Sequence, residues 1–126
     1  MSKRRSIHVP GLAHKAPIPN AAVVDNVLMS GGIGGQDPET GNVPDSLDEQ
    51  AALVFANARR IVEAAGGSLD DIVKFTFFMR DRRQKDAIDR IWLELFPDPD
   101  TRPARHTFTS ELAEPLLVQC DIVAVL

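Results

Sequence analysis

The end of the chain carries the pattern that most constrains its fold. From Leu116 to Leu126 every second residue is apolar, and the row is Leu116, Val118, Cys120, Ile122, Ala124, Leu126. The alternate positions, which include Gln119 and Asp121, mix polar and apolar side chains. Because side chains alternate between the two faces of a strand, this pattern predicts a strand with one buried face. The chain must therefore supply a second layer that covers the apolar row.

Two amphipathic segments can form that layer. Ser46 with Glu49 three residues later fits a capping box, and apolar residues recur at helical spacing from Leu47 to Ala65. Residues Asp81 to Phe96 carry a second apolar stripe and predict a second helix. The mixed charges from Arg80 to Asp86 indicate that the start of this helix is solvated.

The remaining segments predict strands. The alternating stretch from Ser6 to Val9 predicts a short edge strand that ends at Pro10-Gly11. Ala21–Val24 and Val27–Ser30, separated by the turn pair Asp25-Asn26, predict a β-hairpin. Ile72 to Arg80 predicts a strand whose core face carries Val73, Phe75, Phe77 and Met79. The glycine cluster Gly31–Gly35 lacks the spacing of a phosphate-binding loop and indicates a bulge or a close backbone approach.

The stretch from Thr101 to Ser110 is the most promising functional segment. Pro103 disfavours helix, and the residues after it favour a strand, so Arg105 is expected at the beginning of that strand. Paired with the last strand in an antiparallel hairpin, it would bring Arg105 and Thr107 onto the same sheet face as Gln119 and Asp121. We expect a small polar pocket there.

These elements predict one α+β domain over residues 1–126. Its sheet is mostly antiparallel and is covered on one face by two helices. The other face is left bare, which indicates that the sheet packs against copies of itself.

Composition narrows the classes of function. The formal net charge of −4 argues against a protein devoted to non-specific nucleic-acid binding. One cysteine excludes an internal disulfide and a cysteine-rich metal site, and Cys120 is expected to be a buried core residue. No apolar run predicts a signal peptide or a membrane span, so the expected location is the cytoplasm.

Several motifs, in order and at near-constant spacing, resemble the RidA/YjgF family of reactive intermediate deaminases. They are Ser30-Gly31 after a hairpin, Asp37-Pro-Glu-Thr-Gly41, the helix with Gln50, Ala64-Ala-Gly66 with Leu69-Asp-Asp-Ile-Val-Lys74, and Arg102-Pro-Ala-Arg105. The resemblance covers nearly the whole chain.

The resemblance implies a chorismate-mutase-like fold, a homotrimer and clefts between its subunits. It also implies hydrolysis of enamines or imines such as 2-aminoacrylate to a keto acid and ammonia, without a metal or cofactor. In the family, the arginine that matches Arg105 binds the substrate carboxylate, which suits a planar guanidinium. The residues that match Ser30, Gly31 and Thr107 would line the rest of the site.

Three positions depart from the family pattern. Gln119 stands where the family's deaminases have a glutamate that positions or activates water, Pro17 where a tyrosine is common, and Asp89 where an asparagine is common. A neutral amide orients water but does not take its proton. Asp121, beside Gln119, or His14, in the N-terminal loop, can replace the missing base.

The resemblance extends to a branch with proteins labelled 2-aminomuconate deaminase. The predicted substrate is therefore a small carboxylate-bearing imine that is either 2-aminoacrylate-like or aminomuconate-like. One alternative is a non-catalytic trimer that holds a carboxylate metabolite through Arg105 and has lost water activation at Gln119. Ribonuclease activity, a label carried by some relatives, is the weaker alternative, because the chain is acidic and lacks a His/Lys catalytic cluster.

Overall fold

The computed structural model describes residues 3–126, and its regular elements follow the predicted order with one short strand added. The strands are β1 (Arg4–Ile7), β2 (Ala21–Val24), β3 (Val27–Ser30), β4 (Ile33–Gly34), β5 (Ile72–Met79), β6 (Ala104–Thr109) and β7 (Val118–Val125). The helices are α1 (Leu47–Ala64) and α2 (Asp86–Leu95).

These strands form one sheet in the order β1-β2-β3-β7-β5-β6, and β4 adds to β7 outside that path. Within residues 3–126, only β5 and β6 pair in parallel. The β2–β3 hairpin turns at Asp25, whose φ is 53°, as the Asp-Asn pair predicts. The α+β class and the mostly antiparallel sheet are confirmed.

The core lies between the two helices and one face of the sheet. Phe75 and Phe77 of β5 stack with 5.6 Å between ring centroids, and Phe55 of α1 packs on both. Trp92 of α2 meets Phe75 edge-on at 5.6 Å. Burying an aromatic side chain of this size contributes about 2–3 kcal/mol, so this cluster holds both helices on the sheet.

The apolar row of β7 lies on the same covered face. Val118, Cys120, Ile122 and Ala124 are all buried, which confirms the predicted burial of Cys120. Burial, together with the charge of Asp121, raises the pKa of the Cys120 thiol well above its usual value. The alternate residues of β7 face the uncovered side.

The first helix begins and ends as its residues predict. The Ser46 hydroxyl accepts a hydrogen bond from the backbone N–H of Glu49 at 3.0 Å. After Ala64 the chain leaves the helix through Gly66, whose φ of +94° lies in the left-handed region that favours glycine.

The predicted start of the second helix at Asp81 is wrong. The Asp81 carboxylate accepts a hydrogen bond from the backbone N–H of Arg83 at 3.0 Å and caps a short 3₁₀ turn, Arg82–Gln84. The α-helix begins only at Asp86. The turn leaves basic side chains exposed beside β6.

The prediction that Val73 faces the core is also wrong. The register between β5 and β7 shifts between Ile72 and Lys74, which leaves Val73 50% exposed. A bulge adds one residue to the strand and resets its alternation. Phe75, Phe77 and Met79 then face the core as predicted.

The predicted hairpin between β6 and β7 does not form. β5 lies between them, parallel to β6 and antiparallel to β7. β5 and β6 are joined through α2, and a helical crossover is the usual connection between neighbouring parallel strands. The segment after β6 crosses the end of β5, where Arg80 donates hydrogen bonds to the carbonyls of Leu112 and Leu116.

The second face of the sheet carries exposed apolar side chains, and no helix within residues 3–126 covers it. The exposed apolar residues on this bare face are Val27, Met29, Phe108 and Val125. Phe108 stacks on Phe78 of the neighbouring strand at 5.9 Å.

Neither helix in the described part of the chain is long and apolar enough to cross a membrane.

Candidate functional site

Arg105 lies on β6, at one edge of the sheet. It pairs in register with Phe75, and its side chain therefore lies on the helix-covered side. The guanidinium carbon is 5.0 Å from the centroid of the Trp92 ring, and one guanidinium nitrogen donates to Asp89 at 2.5 Å. The side chain is only 19% exposed. The indole and the carboxylate thus hold the guanidinium in a defined orientation.

Arg105 opens onto a depression of about 400 Å³ at the sheet edge. We call it the basic depression, and its lining residues are Arg82, Arg83, Lys85, Arg105, His106 and Thr107. Arg83 is bound to Asp81, with 2.9 Å between its Nε and the carboxylate. That hydrogen bond lowers the pKa of Asp81 below its usual value.

Gln119 lines a different cavity, of about 200 Å³, between the glycine segment and α1. Its polar side chains are neutral amides and one imidazole, and we call it the amide cavity. The lining residues are Leu12, His14, Asn20, Gly32, Ile33, Gly34, Gln36, Asn57, Ile61, Leu116 and Gln119. Neutral amides with fixed positions orient water or a polar ligand group without adding net charge.

Buried hydrogen bonds hold the walls of the amide cavity. The Asn57 side chain, which is fully buried, donates to the carbonyls of Gly34 at 2.9 Å and Gln36 at 2.8 Å. Asn20 accepts from the N–H of Val9 at 2.9 Å and donates to the carbonyl of Leu12 at 2.7 Å. The cavity is therefore a preformed structure and does not depend on a ligand.

The glycine segment fits tightly against both layers. A Cβ on Gly35 would lie 2.6 Å from the backbone oxygen of Gln50, and a Cβ on Gly32 would lie 3.2 Å from the Gln119 side chain. The predicted close backbone approach is confirmed at Gly35. At Gly32 a side chain would crowd the Gln119 amide.

His14 brings to the amide cavity a buried nitrogen without a hydrogen-bond partner among the described residues. Its Nε2 is buried and has no partner within residues 3–126. Such a nitrogen beside a polar cavity that is large enough for water is normally satisfied by water. His14 and Gln119 are thus brought to one cavity, which their separation in sequence did not predict.

Ser30 and Gly31 lie at the end of the hairpin. The Ser30 hydroxyl accepts from the N–H of Ile122 at 2.9 Å, and its own proton is free to donate. The N–H of Gly31 donates to the backbone carbonyl of Asn20 at 3.0 Å. Both residues are tied to β7 or to the cavity wall.

The prediction that Arg105 and Thr107 share a sheet face with Gln119 and Asp121 is wrong. Thr76 of β5 pairs with both His106 and Asp121, so those two side chains share the bare face. The prediction failed because it assumed that β6 pairs with β7. Helix-forming residues between β5 and β6 were the available signal for a parallel pair.

Asp121 lies on the bare face and lines neither the basic depression nor the amide cavity. Partial burial raises the pKa of its carboxyl. Asp89, in contrast, is bound to Arg105, which lines the basic depression.

Three further residues lie near Arg105, and this was not predicted from the sequence. They are Trp92, Arg82 and Lys85. Trp92 belongs to the apolar stripe of α2, and sequence alone gives no sign that its face also supports a guanidinium. The charged run from Arg80 to Asp86 was interpreted as a solvated helix start. Its proximity to β6 follows from the parallel β5–β6 pairing.

Comparison with known proteins points consistently to one family. The family model described as Endoribonuclease L-PSP matches residues 12–126. A RutC family protein from Aquifex aeolicus is 34% identical over 117 residues, which cover 88% of this chain and 94% of that protein. A 2-iminobutanoate/2-iminopropanoate deaminase from Dermatophagoides farinae is 32% identical over 130 residues, covering 100% of this chain and 99% of that protein.

Solved structures agree. RidA from the Antarctic bacterium Psychrobacter sp. matches with a TM-score of 0.89 at 28% identity, covering 97% of this chain and 99% of that chain. Escherichia coli TdcF with bound serine matches with a TM-score of 0.88 at 25% identity, covering 97% and 98%.

Proposed function

Because this chain belongs to the RidA/YjgF family, which the Endoribonuclease L-PSP model describes, we propose that it hydrolyses carboxylate-bearing imines and enamines. Relatives about a third identical over most of the chain are named deaminases of such intermediates, which supports this reaction class. The substrate range includes 2-aminoacrylate-like and aminomuconate-like compounds, the reaction needs no cofactor or metal, and the cytoplasm stays the predicted location.

The observation that carries the proposal is the setting of Arg105. One edge of its guanidinium is held by Asp89 and its face by Trp92, while it lines an open depression. Guanidinium binds a carboxylate through two parallel hydrogen bonds, and this pre-orientation lowers the entropic cost of binding. TdcF, a structural neighbour, was solved with bound serine, a small molecule that carries a carboxylate.

The complete site lies between two copies of the chain. Within one copy, Arg105 faces the helix-covered side of the sheet and Gln119 the bare side, with β5 between them. A second copy can bring its amide cavity to the basic depression of the first. The exposed apolar side chains of the bare face, such as Met29 at 60% exposure, give the copies a surface to bury. We propose a homotrimer with a chorismate-mutase-like arrangement, to be checked by light scattering.

The reaction needs water at the imine carbon. An enamine first takes a proton at carbon and becomes the imine, and water then adds to the C=N bond. The resulting carbinolamine expels ammonia and leaves the keto acid. Arg105 and Thr107 hold the carboxylate end, Ser30 and Gly31 line the opposite wall, and the Gln119 carbonyl accepts one proton of the attacking water in a hydrogen bond.

His14 is the residue that takes the proton from this water. Its buried Nε2 has no partner in the described chain, and it lines the same cavity as Gln119. A neutral imidazole is a proton acceptor near physiological pH, which a glutamine is not. Asp121 is the second candidate, since burial raises its pKa, but it lies outside the cavity.

The test is hydrolysis of 2-iminopropanoate, generated from D-alanine by D-amino-acid oxidase with catalase present. Semicarbazide competes for the imine, so enzyme activity appears as reduced semicarbazone formation. Arg105→Ala is expected to lower kcat/KM about a hundredfold, since losing a bidentate charged pair costs about 3 kcal/mol. Arg59→Ala removes an exposed arginine of α1 and should leave the rate unchanged. A wild-type rate in Arg105→Ala would sink the proposal.

One alternative is a trimer that binds a carboxylate metabolite without turning it over. It is favoured by Gln119, which stands where the family's deaminases have a glutamate. In that case pyruvate would bind in calorimetry and the binding would need Arg105, while 2-iminopropanoate would decay at its uncatalysed rate. Ribonuclease activity is the weaker alternative. It would be excluded if RNA stays intact during incubation with highly purified protein.

A further inference from the structure

The basic depression holds more positive charge than one carboxylate needs. Of the described residues that line it, none is acidic, and four carry a full positive charge. Two of these four already have a carboxylate partner: Arg105 is bound to Asp89, and Arg83 to Asp81.

The other two cations, Arg82 and Lys85, have no side-chain partner in the described part of the chain. Among residues 3–126, no hydrogen bond or ion pair involves either side chain, and both are exposed. Asp86, the first residue of α2, does not line the depression. Arg82 and Lys85 are therefore the cations of the depression that stay available to a second anionic group, next to the guanidinium that orients the ligand.

Building on the proposed function, we propose that the preferred substrates are dicarboxylates, namely imines of acidic amino acids. Arg105 binds the carboxylate next to the imine carbon, and Arg82 and Lys85 bind the carboxylate of the side chain. The depression, at about 400 Å³, lies within the usual size range for small-molecule sites. Hydrolysis breaks the C=N bond, consumes one water, releases ammonia and leaves both carboxylates unchanged.

The position of the two cations supports a distal subsite. The capping of the 3₁₀ turn by Asp81 and the late start of α2 place Arg82 and Lys85 in the loop beside β6. Arg82 is also tied to that strand, since its backbone N–H donates to the Thr109 hydroxyl at 3.2 Å. A ligand bound at Arg105 can therefore also contact Arg82 and Lys85, which line the same depression.

The experiment compares a dicarboxylate imine with a monocarboxylate imine. D-aspartate oxidase generates 2-iminosuccinate from D-aspartate, and D-amino-acid oxidase generates 2-iminopropanoate from D-alanine. The variants are Arg82→Gln/Lys85→Gln and, as the matched control, Arg59→Gln, which removes an exposed arginine from α1 outside the depression.

The double variant is expected to lower kcat/KM for 2-iminosuccinate about tenfold, because it removes two partly solvated charge contacts. It should change the value for 2-iminopropanoate less than about twofold, and the difference between the two substrates should shrink as salt is added. Arg59→Gln should change neither value. Equal effects on both imines, or no effect on 2-iminosuccinate, would overturn the inference.

A binding measurement separates failure of this inference from failure of the proposed function. Calorimetry should find oxaloacetate bound more tightly than pyruvate by the wild type, and the double variant should lose that preference. If neither imine is hydrolysed but this preference and its loss are seen, the deaminase proposal fails and the dicarboxylate subsite stands. Equal affinity for both keto acids overturns the subsite, whatever the turnover.

Discussion

The basic depression and the amide cavity differ in nearly every physical property. The depression is open, lies at the sheet edge and is lined by four cationic side chains. The cavity lies beneath the glycine segment, and its polar side chains are amides and one imidazole. Its walls are held by buried hydrogen bonds, whereas the cations of the depression are mostly exposed.

This difference matches two tasks of an imine hydrolase. Holding a carboxylate requires charge, and an exposed edge lets the ligand enter. Orienting one water molecule requires fixed dipoles. These dipoles should carry no net charge, because a charged group would bind a counter-ion instead. One chain carries both regions but keeps them apart, because β5 lies between the strand of Arg105 and the strand of Gln119. Under the proposed assembly, the two tasks combine between copies.

The strongest test of this division mixes two inactive variants. Arg105→Ala damages the depression, and His14→Ala/Gln119→Ala damages the cavity, so each alone should lose at least about a hundredfold in kcat/KM. Co-expressed in equal amounts, they should recover roughly a quarter of wild-type activity, because each site takes one region from each of two neighbouring copies. Activity of the co-purified mixture measures this, and no recovery would mean that one chain supplies both regions.

The second test asks whether the cavity is held by buried polar contacts. Asn57→Ala removes the donors to the carbonyls of Gly34 and Gln36 and should lower the free energy of unfolding by about 2 kcal/mol. Asn26→Ala, in the exposed hairpin turn, is the matched control and should change it by less than about 0.5 kcal/mol. Urea unfolding measures both, and equal effects would contradict a rigid cavity.

The third test concerns the negative charge that is bound to Arg105. Asp89→Asn keeps a side-chain oxygen near Arg105 but removes the competing charge, so KM for 2-iminopropanoate should fall about threefold. Asp48→Asn removes the carboxylate of an exposed pair with Arg90 and should leave KM unchanged. A rise in KM for Asp89→Asn would show instead that the negative charge is needed to position Arg105.

The smallest expected effect lies on the bare face. Burial raises the folded-state pKa of Asp121 above its usual 3.8, so the folded chain holds this proton more tightly than the unfolded chain. The contribution of Asp121 to stability is therefore lost as pH rises from 3.8 through the folded-state value. Asp121→Asn should gain stability relative to wild type as the pH rises through the range that begins near 3.8. Glu111→Gln, at an exposed position, is the control. Urea unfolding at equal protein concentration measures the change, and a constant difference across pH would contradict it.

Much of the fold could be predicted from short stretches of sequence. The alternating row of β7, the Ser46 cap and the Asp25 turn each depend on neighbours a few residues apart, and all three are confirmed. The Val73 bulge was missed because a bulge resets alternation without changing composition.

The candidate site was less predictable. Arg105 and Gln119 were singled out by residue chemistry and family resemblance, and their roles stay predictions until tested. Their placement on opposite sides of the sheet was predicted wrongly, because one error in strand pairing moved a whole set of side chains to the other face.

The sequence by itself determined the elements, the burial pattern of β7 and the residue types available for chemistry, because these depend on local propensity and side-chain character. Only the tertiary structure decided that β5 lies between β6 and β7, that Arg82 and Lys85 lie beside Arg105, and that His14 reaches the cavity of Gln119. Strand order and loop placement are set by long-range pairing and by the packing of α2 on the sheet. No short window of sequence contains those interactions.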